Sequence, residues 1–106
     1  MLITIISDED LEERLDNLDE NKLAIVEFMS PYCGLCLSIV EQLQIMSVVH
    51  ETVVFLTADT KLCERNVDKY GIAVIPMFVA IKQGQCIKKI IGANLNAVEE
   101  VVKTNK

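Results

Sequence analysis

The chain has 106 residues, 51% of them hydrophobic and 25% charged, with a mean hydropathy of +0.33; it is too short for two independently folded units and too apolar for intrinsic disorder. Its formal charge of −6 is uneven, since residues 1–20 hold eight acids against Arg14 alone, and an acidic block beside a balanced body argues against nucleic acid or an anionic membrane as a partner. No apolar run approaches the roughly 20 residues that cross a bilayer, and residues 1–6 lack the basic flank and apolar length of a secretory signal, so the expectation is one soluble, monomeric, cytoplasmic domain over residues 1–106.

In chain order, residues 2–6 read as a short strand. Ser7 and Asp10 have the spacing of a capping box, with Asp in place of the usual Glu or Gln. Leu11, Leu15 and Leu18 then recur at helical spacing, predicting an amphipathic helix that ends near residues 17–21, its acidic face solvated. Residues 23–29 are apolar apart from Glu27, the pattern of a central strand buried on both faces. Ser30-Pro31-Tyr32 stops this strand, Pro31 being suited to the start of a helix. Cys36, Ile39, Val40, Leu43 and Met46 mark one face of a helix running to about His50. Residues 52–58 read as another buried strand, and residues 60–70 as a helix with Cys63, Val67 and Tyr70 inward and Gly71 closing it. Residues 77–82 and 85–91 flank Gln83-Gly84, a two-residue hairpin signal, and Asn96 with Glu99 is expected to cap a last helix through about Thr104. The order β-α-β-α-β-α-β-β-α predicts an α/β protein, a mixed sheet with helices on both faces.

The chemistry lies in Cys33-Gly34-Leu35-Cys36. Without a secretory signal the setting is a reducing one, where CxxC points to redox or metal chemistry rather than a structural staple. Zinc usually takes two close ligand pairs, whereas Cys63 and Cys86 lie on different predicted elements and His50 at the far end of the CxxC helix. Redox chemistry fits better. A thiolate is the nucleophile of disulfide exchange, and Cys33 opens a helix, where unpaired backbone N–H groups stabilise negative charge. Cys36 is almost one turn on, so its sulfur can reach the first and release a substrate held as a mixed disulfide. Glu27 is a candidate general base, because a carboxylate in an otherwise apolar strand leading into the CxxC loop loses hydration and its pKa rises towards neutrality. Cys63 is read as a small core residue and Cys86 as an incidental strand position.

The segments Val26-Glu27-Phe28, Tyr32-Cys33-Gly34-Leu35-Cys36, Asp59, Tyr70-Gly71-Ile72 with Ile75-Pro76, Lys82-Gln83-Gly84-Gln85 and Ile91-Gly92-Ala93-Asn94 resemble, in order and spacing, the thioredoxin family over essentially the whole chain. The resemblance implies a thioredoxin fold, three-layer α/β/α with a central five-stranded mixed sheet and four helices. It also implies a cis peptide before Pro76 that sets Ile75 beside the CxxC, and a substrate surface at Tyr32, Gly34, Leu35, Ile75, Pro76 and Gly92, where an extended segment adds in the manner of a strand. The implied activity is dithiol–disulfide oxidoreduction on protein disulfides, with no bound cofactor and with recycling by an NADPH-dependent flavoenzyme of the thioredoxin reductase type. The resemblance further implies that Glu27 serves the release by Cys36. Five positions depart from the commonest pattern. Leu35 replaces the proline of CGPC, Tyr32 the preceding tryptophan, Leu37 the lysine after the second cysteine, Glu27 a buried aspartate, and Phe55 a nearby lysine. Tyr32, Leu35, Leu37, Ile75 and Met77 are expected to form an apolar rim around Cys33. The alternatives are a protein-binding adaptor module and a more oxidising, isomerase-type domain.

Overall fold

Of the six apolar residues of β2 (Leu23–Met29), the first five with Phe28 counted are 0 or 1% exposed, and this two-sided burial places the strand at the centre of the sheet. The computed structural model describes residues 1–106. Around β2 stand β1 (Leu2–Ile5), β3 (Val54–Asp59), β4 (Met77–Lys82) and β5 (Gln85–Ile91), in the spatial order β1-β3-β2-β4-β5. The β1, β3 and β2 strands run parallel, while β4 and β5 are antiparallel to their neighbours. Gln83 and Gly84 join the last two with φ of 54° and 75°, the doubly positive geometry that matches the twist of a tight hairpin.

Alternation along β2 divides the core into two layers. Leu23, Ile25, Phe55, Phe78 and Ala80 pack beneath α3 (Val40–Val49) and α5 (Leu95–Asn105), through Leu43, Val98 and Val102. Ala24, Val26, Phe28, Leu56 and Val79 pack on the opposite face with α1 (Asp8–Asp16) and α4 (Glu64–Tyr70), through Leu11 and Tyr70. Phe28, Phe55 and Phe78 are at most 1% exposed, and each contributes roughly 1.5–3 kcal/mol of burial.

Three expectations need correction. The predicted CxxC helix is two helices, α2 (Gly34–Ser38) and α3, so the sheet carries five helices rather than four. Ile39 between them has φ −108° and ψ 0°. Ser38 Oγ donates to the Leu35 carbonyl at 2.7 Å, and this back-bond, followed by the β-branched pair Ile39-Val40, bends the chain where no proline or glycine marks a break. The fourth helix begins at Glu64, four residues later than expected, because Asp59 holds a turn instead: its carbonyl accepts from the Leu62 and Cys63 amides and its Oδ1 from that of Lys61. Cys63 therefore precedes the helix, although it is fully buried as expected. The last helix is capped by Asn94, not Asn96, with Asn94 Oδ1 accepting from Ala97 N at 3.1 Å.

The acidic amino-terminal block is also more than a solvated face. Asp8 accepts from Arg65 N, Asn66 N and Asn66 Nδ2 at 3.1, 3.0 and 2.7 Å, so it caps α4 from a position 57 residues away, and Arg65 reaches Glu12 at 2.8 Å. Burial pushes the Asp8 carboxyl up, but the hydrogen bonds from Asn66 and the backbone outweigh it and hold the group below its ordinary value. Its contribution is thus present at neutral pH and lost as pH falls through the lowered value. Asp8→Ala should cost about 1–2 kcal/mol in urea unfolding at pH 7, and Glu20→Ala close to nothing; equal effects of the two would show that the cap contributes no stability.

Candidate active site

Parallel strands β2 and β3 end side by side, with Thr60 N donating to the Met29 carbonyl at 3.0 Å, and the chain emerging from β2 must turn at this edge. Ser30 makes the turn: its carbonyl accepts from Cys33 N at 3.1 Å and its hydroxyl from Tyr32 N at 3.2 Å. Cys33 is then the residue immediately before α2, extended at φ −91°, ψ 113°, and its Sγ accepts from Cys36 N at 3.1 Å. The position normally taken by a serine or aspartate cap is filled by sulfur. Cys33 and Cys36 are disulfide-bonded, with Cα atoms 5.2 Å apart. Cys33 is half-buried while Cys36 is fully buried, so an external sulfur approaches the first of the pair and not the second.

Register brings the loop before β4 to the same edge. Phe28 pairs with Met77 and Met77 with Ile91, so the next residues out, Pro76 beside Met29 and Gly92 beyond Ile91, stand where the CxxC loop begins. The Ile75–Pro76 peptide is cis, and Gly92 N donates to the Pro76 carbonyl at 2.8 Å. At φ 86° Gly92 adopts a conformation unfavourable to side chains, and a Cβ there would meet nothing within 4 Å, so the glycine leaves open space beside the proline.

Of the five residues expected on an apolar rim, four are solvent-accessible and one is not. Tyr32, Leu35 and Leu37 are 88, 61 and 55% exposed and Ile75 is half-buried, but Met77 is buried at 5% because it already belongs to β4. Exposed Val74 and Ile91 flank the same proline loop and escaped the sequence reading. Val74 sits in an apolar run that reads as core but precedes β4, and Ile91 is the exposed last residue of the edge strand β5.

Glu27 is 2% exposed and pairs directly with Thr57 on β3 and with Phe78 on β4. Its Oε2 has no hydrogen-bond partner, and burial raises its carboxyl to about 7. The remaining thiols differ in burial. Cys63 is buried and, chiefly by burial, pushed up to about 11, so it stays protonated at neutral pH; Cys86 is exposed on β5. No three histidine, cysteine or carboxylate side chains converge to hold a metal. His50 ends α3 as expected but is buried, its Nε2 2.8 Å from Glu99 Oε1 and its Nδ1 3.1 Å from Lys106 Nζ, which fastens α3 to α5. No helix is long and apolar enough to cross a membrane.

The family model described as Thioredoxin matches residues 3–104. The chain is 29% identical over 85 residues to thioredoxin of Echinococcus granulosus, a match covering 80% of this chain and 79% of that protein. It is 35% identical over 98 residues to thioredoxin domain-containing protein 2 of Homo sapiens, a match covering 92% of this chain but only 18% of that longer protein. Among solved structures, the reduced Schistosoma mansoni thioredoxin pre-protein has a TM-score of 0.93 at 32% identity, covering 99% of this chain and 98% of that one. Thioredoxin NaTrxh of Nicotiana alata has the same TM-score at 23% identity, covering 99% of this chain and 92% of that one, a likeness of fold.

Proposed function

The chain belongs to the thioredoxin family of thiol–disulfide oxidoreductases, and from that premise we propose that it works as a reductant of protein disulfides through a mixed-disulfide intermediate. The observation that carries the proposal is the asymmetry of the pair, a half-buried Cys33 Sγ held by a backbone N–H beside a fully buried Cys36. In the reduced protein the same N–H favours the Cys33 thiolate. That thiolate attacks one sulfur of a substrate disulfide, the substrate S–S bond breaks, and the other substrate sulfur leaves as a thiolate and takes a proton. Cys36, once deprotonated, attacks the Cys33 sulfur and expels the second substrate thiolate, so the pair ends oxidised and the substrate reduced.

Glu27 is the base in this scheme. Its strand runs into the CxxC loop, and a carboxyl at about 7 is matched to accepting a thiol proton near neutral pH, directly or through a water. Tyr32, Gly34, Leu35, Ile75, Pro76 and Gly92 form the substrate surface. Exposed apolar side chains at Tyr32, Leu35 and Ile91 favour an extended apolar protein segment over a charged small molecule, and the Ile75–Pro76 loop offers its backbone to that segment. A cytoplasmic setting and recycling by a reductase-type flavoenzyme accompany this reading, with no resident cofactor. Reduction of a disulfide-bonded protein such as insulin, driven by a dithiol donor, tests it. Wild type should turn over and Cys33→Ser should not. Absence of turnover, with partner binding unaffected by Cys33→Ser, would instead make the exposed apolar rim an adaptor surface.

Leu35 also affects the redox poise. A residue second in a helix has no intrahelical acceptor for its N–H, and leucine retains at Leu35 a donor that proline lacks. A further donor near Cys33 stabilises the thiolate and makes the disulfide easier to reduce. The potential should lie above the about −270 mV typical of thioredoxin, with Leu35→Pro lowering it by about 30 mV, equivalent to 1.4 kcal/mol. Equilibration against glutathione measures both, and an unchanged value in Leu35→Pro would remove the backbone donor from the explanation.

A further inference from the structure

Between the β1–β3 side of the sheet and α3 lies a cavity of about 350 Å³ whose polar lining consists of Glu27, Thr57, Thr4, Asp59 and Gln44. Three of these form one row across the sheet, because Thr4 pairs with Thr57 and Thr57 with Glu27 in parallel register. Exposure falls along the row, from exposed Thr4 through half-buried Thr57 to Glu27 at 2%. The cavity therefore leads from solvent at the edge strand to a buried carboxylate whose Oε2 has no partner and whose position lines it.

The lining has a definite chemistry. Two carboxylates and two hydroxyls provide hydrogen-bond acceptors, neither lysine nor arginine is among the lining residues, and more than half of the lining is aliphatic or otherwise apolar. Anions are repelled by Glu27 and Asp59. A neutral apolar guest would leave the Glu27 oxygen desolvated and unpaired, which is costly. A divalent metal would need further ligands, and no three metal-ligating side chains converge here. The volume is at the lower end for ligand pockets, so the guest is small.

We infer that this cavity is a binding site for a small organic cation, a primary ammonium on a short apolar stem, with the ammonium on Glu27 and the Thr57 hydroxyl and the stem against the apolar wall beneath α3. Glu27 Oε2 is closed to solvent as it stands, and a small rotation of the side chain towards the guest supplies the missing donor while the stem replaces water along the apolar lining. The guest would occupy the carboxylate that the proposed function uses as its base, but its binding needs neither free thiol, so it can be tested with the oxidised protein.

The test is calorimetric titration of oxidised wild-type protein at pH 7 with n-pentylammonium, using n-pentanol as the uncharged isostere. Saturable one-to-one binding is expected, at least about tenfold tighter for the ammonium than for the alcohol. Glu27→Gln should weaken the ammonium at least about tenfold while leaving the alcohol unchanged. Thr4→Lys, at the exposed end of the row, provides a tethered ammonium and should likewise exclude the probe without altering the buried carboxylate. No saturable binding to wild type, equal affinity for amine and alcohol, or undiminished binding in both variants would overturn the assignment. Turnover in the insulin assay is read separately, so failure of the amine site and failure of the reductase function are distinguishable.

Discussion

Glu27→Gln is expected to be more stable than the wild type at pH 8, by up to about 3 kcal/mol, and to lose that advantage as the pH is lowered to 4. The sign follows from the direction of the shift. Burial raises the Glu27 carboxyl from 4.5 to about 7 in the folded protein. A group whose folded value lies above its unfolded one favours the native state below the unfolded value, and that contribution is lost as pH rises through the folded value. Wild type should therefore weaken between about pH 4.5 and 7 while Glu27→Gln, which carries no ionisable group there, should not. At low pH the two side chains are both neutral and both leave a polar atom without a partner, so the difference closes. Urea unfolding across pH 4–8 measures the gap, and parallel curves would show that Glu27 is solvated or paired in solution. The same substitution should slow breakdown of the mixed disulfide by about a hundredfold, within the range of general base catalysis, while leaving the initial attack intact. Equal breakdown rates across pH 6–8 would remove Glu27 from the mechanism.

The larger effect concerns the two cysteines, which should fail in opposite ways. Cys33 presents the accessible sulfur, so Cys33→Ser loses the first bond-forming step and with it turnover altogether. Cys36 is fully buried, and Cys36→Ser should retain attack but lose release, accumulating a stable adduct instead of turning over. A single-cysteine deletion of a structural staple would produce no such contrast, since either substitution opens the same bond. Neither free thiol can substitute: Cys63 is buried and kept protonated at neutral pH, and Cys86 lies on a different edge of the sheet, on β5.

Much of this was legible from residue order. The apolar run of residues 23–29 specifies a strand buried on both faces, and such a strand can only be central; the spacing from Cys33 to Cys36 is a property of one helical turn. Features set by tertiary contacts were not legible. Asp8 looks like any other acid of an acidic block, and its hold on α4 depends on a docking 57 residues away in sequence. The break at Ile39 carries neither proline nor glycine and depends on a serine back-bond. Asn94 and Asn96 are both acceptable caps, and the chain's exit from β5 selects the first. Met77 is apolar either way, but pairing with Phe28 and Ile91 draws it into the sheet and leaves Ile91's exposed side chain on the rim instead. Glu27 stood out as a charge among apolar residues, whereas the cavity beside it arises from three strands and a helix far apart in sequence.

The most direct test of the central claim is to react reduced Cys36→Ser protein with a disulfide-bonded protein substrate and identify, by peptide mass mapping, which cysteine carries the adduct. Attack by the accessible sulfur predicts one substrate chain per molecule, joined through Cys33. An adduct joined through Cys86 or Cys63, or no adduct under conditions where the wild type turns over, would contradict it.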